Sequence, residues 1–121
     1  MNINRKLIDC AEAGDLAGVK AALDKGADIH VDNDYALRLS ADYGYLEVVK
    51  YLVENGADIH SLNDCSFRWA AMNGNLEVVK YLIQNGADIH ADNDFAIRYA
   101  VSKGHLEVVK YIEMYIKLKS L

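Results

Sequence analysis

Gly26-Ala27-Asp28-Ile29-His30 returns letter for letter as Gly56–His60 and Gly86–His90. Leu46-Glu47-Val48-Val49-Lys50-Tyr51 returns in the same way as Leu76–Tyr81 and Leu106–Tyr111. A second glycine series falls at Gly14, Gly44, Gly74 and Gly104, and every series steps by 30 residues. A fixed period of this size marks an architecture in which one small unit is stacked on copies of itself. The chain divides into units 1–30, 31–60, 61–90 and 91–121, with no linker between them, and reads as one domain.

Within a unit the pattern is helix, turn, helix, loop. In the second unit the first helix is expected to start after Asp34, an N-cap type of residue. It should run from about Tyr35 to Tyr43 and stop at Gly44, which accepts the left-handed geometry of a helix end. The second helix should run from Leu46 to Asn55, with Leu46, Val49, Leu52 and Val53 on one face at helical spacing. The segment from Ala57 to Asn63 is left as the connecting loop. Asp64 and Asp94 repeat the cap. Glu47/Lys50 and their copies Glu77/Lys80 and Glu107/Lys110 lie three apart and read as a solvated helix surface. Two nine-residue helices bury too little apolar area to stay folded alone. Stacked copies share a core, so stability is a sum of neighbour interfaces.

The fold class expected is therefore all-α, a solenoid of four stacked helix-turn-helix units. End units need outer surfaces of their own. Arg5, Lys6 and Asp9 stand where the second unit has Tyr35, Ala36 and Leu39, and Glu113 stands where Val53 and Ile83 stand. The first and last units are thus expected to act as caps of a short, complete stack.

Bulk properties narrow the function. Apolar residues make up 52% and charged residues 26%, with a net charge of -5. Nucleic acids and acidic membranes are held by clustered Lys and Arg, so neither is an expected partner. No apolar run approaches the about 18 residues that span a bilayer. The N-terminus lacks the apolar core of a secretory signal, and two cysteines without an export signal point to the cytosol.

These strings resemble the ankyrin repeat. The family pattern is a Thr-Pro-Leu-His helix start, then Gly-His-Leu-Glu-Val-Val, then Gly-Ala-Asp-Val-Asn. Gly104–Lys110 and Gly86–His90 are similar to the last two elements. The resemblance spans all four units and is weakest in the first. It implies an ankyrin-type α-solenoid that binds a protein through a rigid concave surface. Two departures stand out. The helix start has become Tyr35-Ala36-Leu37-Arg38, Cys65-Ser66-Phe67-Arg68 and Phe95-Ala96-Ile97-Arg98, so Arg replaces the family's His. Such Ala-Leu-Arg and Ala-Ile-Arg starts look like those of ankyrin families in giant DNA viruses. The unit is also 30 residues, against about 33 in the family. The three missing residues fall between His30 and Asp34 and in the equivalent places, which implies shortened hairpin loops.

Candidate chemistry is sparse. His30, His60 and His90 recur at equivalent positions. Stacked helices lie roughly 8–10 Å apart, too far for such positions to share a metal with bonds of about 2 Å. Their rings are expected to hydrogen-bond loop backbone, the role the family gives Asn. Arg38, Arg68 and Arg98 could form an anion-binding stripe. The competing role is structural, with each guanidinium satisfying loop carbonyls and a cap carboxylate such as Asp64 or Asp94. Cys10 and Cys65 sit two units apart, on the order of 20 Å at the same packing spacing, and read as free thiols. Asp92-Asn93-Asp94 could open a calcium loop, but Ile97 and Lys103 stand where that loop needs Gly and Glu. No motif for nucleophilic or metal-assisted catalysis is present, so no cofactor, no metal and no enzyme activity are expected.

A partner surface should lie where the units differ while the scaffold stays the same. The variable sets are Leu39/Trp69/Tyr99, Asp42/Met72/Ser102, Tyr43/Asn73/Lys103 and Tyr45/Asn75/His105, with the loop starts Val31-Asp32, Ser61-Leu62 and Ala91-Asp92. In ankyrin proteins the second and third sets line the concave groove, which implies a role for Asp42, Tyr43, Met72, Asn73, Ser102 and Lys103. Trp69, Tyr99, Tyr43 and Met72 are the candidate anchors, since aromatic groups dominate binding hot spots. Leu39, Trp69 and Tyr99 share one phase, so core packing is the other reading for that set. Tyr111, Ile112, Tyr115, Ile116 and Leu118 give the last helix, Leu106 to about Lys119, a wide apolar surface that either folds back on the stack or pairs two chains. The expected partner is an unidentified protein, and the chain itself a monomer or weak homodimer.

Overall fold

A computed structural model describes the chain from Asn2 to Leu121. Its helices are α1 (Ile3–Glu12), α2 (Leu16–Asp24), α3 (Val31–Tyr43), α4 (Leu46–Glu54), α5 (Ser61–Met72), α6 (Leu76–Gln84), α7 (Ala91–Ser102) and α8 (Leu106–Lys119). Among the described residues there is no strand. The eight helices form four antiparallel pairs whose apolar faces merge into one core cluster running the length of the stack. This is the four-unit α-solenoid that the periodicity leads to.

The even helices bury Val48, Val49 and Leu52 and their counterparts Val78, Val79 and Leu82, all at most 1% exposed. Each such side chain contributes about 1.5–3 kcal/mol on leaving water. The odd helices present smaller groups: Ala36, Ser40 and Ala41 in α3, Ser66, Ala70 and Ala71 in α5, Ala96 and Ala100 in α7. With so little side chain between them, odd helices approach their odd neighbours closely, while the even helices barely touch one another. The odd-helix layer is therefore the shorter one, and the stack is concave on that side.

The hairpin fingers are shortened to the point of disappearing. In their place Asp32-Asn33-Asp34, Leu62-Asn63-Asp64 and Asp92-Asn93-Asp94 each wind one left-handed turn, with φ between 52° and 61°. A left-handed residue costs about 1–2 kcal/mol, least for Asn and Asp. The arginine ladder offsets that cost. Arg38 donates from Nε to the Asn33 carbonyl at 2.9 Å and from Nη2 to the Asp32 carbonyl at 2.8 Å. Arg68 repeats the fork on Asn63 and Leu62 at 2.8 and 2.9 Å, and Arg98 on Asn93 and Asp92 at 2.8 and 3.4 Å. The carbonyl half of the expected arginine role is met. The carboxylate half is not: Arg68 reaches Asp92 of the next unit at 3.8 Å, not Asp64 or Asp94.

Asp34 and Asp64 also differ from expectation, because their left-handed backbone does not suit an N-cap. They clamp the loop that closes their own unit. Asp34 accepts from the Asp58 N–H at 3.0 Å and Asp64 from the Asp88 N–H at 2.8 Å, as Asn4 does from the Asp28 N–H at 2.7 Å. The histidine rings bond to these carboxylates and not to loop backbone: His30 Nδ1 lies 2.9 Å from Asp34, His60 Nδ1 3.0 Å from Asp64 and His90 Nδ1 2.5 Å from Asp94. The backbone N–H of each histidine in turn donates to Asp28, Asp58 or Asp88 at 2.8–2.9 Å. A continuous polar line thus runs from Asn4 to Asp94. The last helix folds back on the stack, with Tyr115 and Ile116 half-buried against the core and Glu113 in solvent.

Two substitutions test this account. Arg68→Ala removes both bonds to the left-handed turn and is expected to cost about 2 kcal/mol, lowering Tm by roughly 6–12 °C in a thermal melt. An unchanged melt would show that the fork is dispensable. Ser66 has a fully buried hydroxyl with no partner, where α3 and α7 carry Ala36 and Ala96. Ser66→Ala should therefore stabilise by about 1 kcal/mol and raise Tm by roughly 3–6 °C.

Candidate functional site

The variable side chains collect on the odd helices, on the concave side of the stack. Asp42 and Tyr43 end α3, Met72 and Asn73 end α5, and Ser102 and Lys103 end α7. Three neighbouring helix ends thus lie in a row. Tyr43 is 52% exposed and leans on Tyr45, with ring centroids 6.0 Å apart. Ser102 and Lys103 are exposed, and Met72 and Asp42 are half-buried. Asn73 is exposed yet committed: its amide donates to the Asp42 carboxylate and, at 3.2 Å, to the Asp42 carbonyl. Burial pushes the Asp42 carboxyl up, and the bond from Asn73 works against that shift.

The Leu39/Trp69/Tyr99 set divides. Leu39 is 5% exposed and belongs to the core, so it offers nothing to a partner. Trp69 is half-buried, with the Arg38 guanidinium 5.6 Å from its ring centre. Tyr99 is 38% exposed and stacks on Phe95 at 4.2 Å. One phase of the repeat therefore runs from core to surface along the stack. Asp9, at the same phase in the first unit, is exposed as well, so only the inner units cover this position.

Two sets of contacts were not anticipated. Tyr35 lies under Arg38 at 4.9 Å and Phe95 under Arg68 at 4.9 Å, which makes an alternating aromatic and guanidinium stripe. Cation–π contacts of this kind contribute about 0.5–1 kcal/mol at exposed sites. An aromatic residue three positions before Arg38 and Arg98, at Tyr35 and Phe95, was the available signal; Cys65 stands there before Arg68. The other set is the Tyr45/Asn75/His105 series, which packs across a glycine of the preceding unit. A Cβ on Gly44 would lie 2.9 Å from the Asn75 side chain, and one on Gly74 would lie 2.6 Å from His105. These glycines combine a left-handed φ with a close approach from the next unit, so a side chain there would be both strained and obstructed.

Among the described residues no three His, Cys, Asp or Glu side chains come together as a metal-binding group. Cys10 and Cys65 are free, and burial pushes both thiols up, which disfavours the reactive thiolate. No helix is long and apolar enough to cross a membrane.

Comparison with known families agrees with this geometry. The family described as "Ankyrin repeats (many copies)" matches residues 67–112, and that described as "Ankyrin repeat" matches residues 32–64. Between them the matches cover well over half of the chain, which belongs to the ankyrin repeat family. Ankyrin repeats generally mediate protein–protein interaction. No curated protein matches the chain.

The polar line makes the stack sensitive to pH. The bond to Asp34 raises the His30 pKa above its usual value, and the bond to Asp64 raises that of His60, with Asp28, Asp58 and Asp88 adding to the effect. The folded chain thus holds these protons more tightly than the unfolded chain. The resulting stabilisation is complete below an unfolded value of about 6.5 and is lost as pH rises through the raised folded values. Tm should fall between pH 6 and pH 8.5. His30→Asn/His60→Asn should flatten that fall, and a slope unaltered by the double substitution would exclude the two rings as its source.

Proposed function

We propose that this chain is a non-enzymatic protein-binding module whose partner lies in the concave groove. The contact set is Asp42, Tyr43, Trp69, Met72, Asn73, Tyr99, Ser102 and Lys103, with Tyr43 and Tyr99 as the exposed aromatic anchors. The observation that carries this reading is the contrast between scaffold and surface. Val48, Val49 and Leu52 are copied unchanged into the third unit, while the ends of α3, α5 and α7 differ at every step. Packing accounts for the copied residues. It makes no demand on Tyr43 or Lys103, which stand in solvent.

The mechanism is preorganisation. Odd helices locked side by side, with Asp42 already tied to Asn73, lose little freedom on association, so less of the contact energy is consumed in ordering. The half-exposed Tyr43 and Tyr99 bring large area at two rotatable bonds each. The partner is a protein met in the cytosol, and the chain acts as a monomer. Self-assembly through α8 has weaker support, because Tyr115 and Ile116 already pack on their own stack and Ile112 is fully buried.

Affinity capture from the native cell, with a Tyr43→Ala/Trp69→Ala chain as the control, tests the proposal. A protein held by the unaltered chain and lost with the double variant is expected, with affinity weakened about tenfold or more. The double variant should keep its helical circular dichroism. Retention of every captured protein by the folded variant would move the site off the groove.

A further inference from the structure

Equivalent positions reveal which way each side chain faces. Ala36, Ser66 and Ala96 are buried, whereas Lys6, at the same place in the first unit, is exposed, so this position faces the preceding unit. Ala11, Ala41 and Ala71 are 0% exposed, whereas Val101, at the same place in the last unit, is 59% exposed, so this position faces the following unit. By the same comparison Ile97, Leu106 and Val109 also lie on the C-terminal end face. Leu37, Phe67, Val49 and Val79, which correspond to Ile97 and Val109, are fully buried, and Leu106 is 65% exposed where Leu46 and Leu76 are half-buried.

The two ends are finished differently. At the N-terminal end Arg5, Lys6 and Asp9 are charged and exposed. At the C-terminal end Ile97, Val101, Leu106 and Val109 stay apolar, and the charges are Arg98 on α7 and Glu113 on α8. A terminal unit that has only to meet water carries a polar outer face. The first unit meets that condition, and the last does not on its α7 side.

Two other features of this face lack what a neighbour supplies inside the stack. Arg38 is overlaid by Trp69 of the next unit, and Arg68 by Phe95 and the Asp92 carboxylate, while Arg98 has a ring only from its own Tyr99. Gly44 and Gly74 are covered by Asn75 and His105, while around Gly104 a Cβ would meet nothing within 4 Å.

We propose that the C-terminal end face, centred on Val101 and Gly104, binds one amphipathic helix of a partner protein. This is a second surface, independent of the concave groove. The interface between units continues onto this face and defines the occupant's chemistry: a small-residue apolar stripe against α7, an aromatic ring and a carboxylate for Arg98, and a lysine or arginine opposite Glu113. A single helix fits better than a pair. Odd helices pack tightly on one another and even helices hardly do, and Glu113 removes the apolar contact that Ile83 makes inside the stack. A second copy of this chain does not match. Its N-terminal face would bring Arg5 against Arg98 and force Lys6 into the contact that small residues make elsewhere.

The test uses the full chain with a repaired N-terminal face as the probe. Arg5→Tyr, Lys6→Ala and Asp9→Leu give the probe the second unit's side chains, and Val101→Glu closes its own C-terminal face. Sedimentation of the unaltered chain with this probe should show a one-to-one complex. Val101→Glu in the unaltered chain should abolish the complex, and Tyr43→Ala should leave it intact. No complex with a probe folded by circular dichroism would overturn the proposal, as would a complex that survives Val101→Glu. Pairing of the unaltered chain with itself, lost on Val101→Glu, would make a second copy the occupant and overturn it as well. A measurement that does not need the probe is the fluorescence of an apolar dye bound to the unaltered chain. It should fall severalfold in a folded Val101→Glu/Leu106→Glu variant, and an unchanged signal would show that the face is not open.

Discussion

The fork of each arginine onto two carbonyls is the interaction on which the rest of this solenoid depends. Three successive left-handed residues are an unfavourable way to connect two helices. Arg38, Arg68 and Arg98 make them tenable by binding the carbonyls that such a turn points inward. The turn in turn fixes where Asp34 and Asp64 sit, and these carboxylates hold the loop that closes each unit. The same guanidinium plane supports the aromatic stripe. One side chain in each of the last three units therefore sets the connection, the clamp and part of the concave surface.

Periodicity made the architecture legible, because exact copies at a fixed step admit few other arrangements. Helix ends at Gly44 and the apolar face of α4 followed from local chemistry. The left-handed turn did not. Asp-Asn-Asp before a helix looks like a cap, and nothing in Leu62 announces a positive φ. That conformation is imposed by Arg68, six residues later, which is a tertiary effect within a short segment. The histidines were misjudged for a related reason: their partner depends on where the turn sends Asp34 and Asp64. Leu39 varies between units and so reads as surface, yet a buried position also varies where its packing neighbours differ from unit to unit. Tyr45, Asn75 and His105 vary because each packs on a different neighbour across a glycine. Tyr43, Ser102 and Lys103 were legible as surface because helix ends facing outward carry no packing constraint.

Each unit shields part of the one before it, so the same sequence position has a different environment at each step. That directional cover explains why Arg38 is buried and Arg98 exposed although both make the same fork. It also divides the molecule into a scaffold that tolerates little and a row of helix ends that tolerates much. A binding surface can be rewritten there without altering the turns that hold the stack.

The uneven spacing of the two helix layers has a mechanical meaning. The odd helices and the line of hydrogen bonds at their starts form an edge that cannot lengthen without breaking bonds. The even helices are joined only by scattered contacts, such as Lys20 over the Tyr51 ring at 5.3 Å and Lys80 over Tyr111 at 5.6 Å. When such a body flexes, its neutral axis lies along the inextensible edge, and the strain falls on the opposite one. Bending the stack would therefore work like bending a leaf spring, spreading the back while the arc of the inner rim keeps its length.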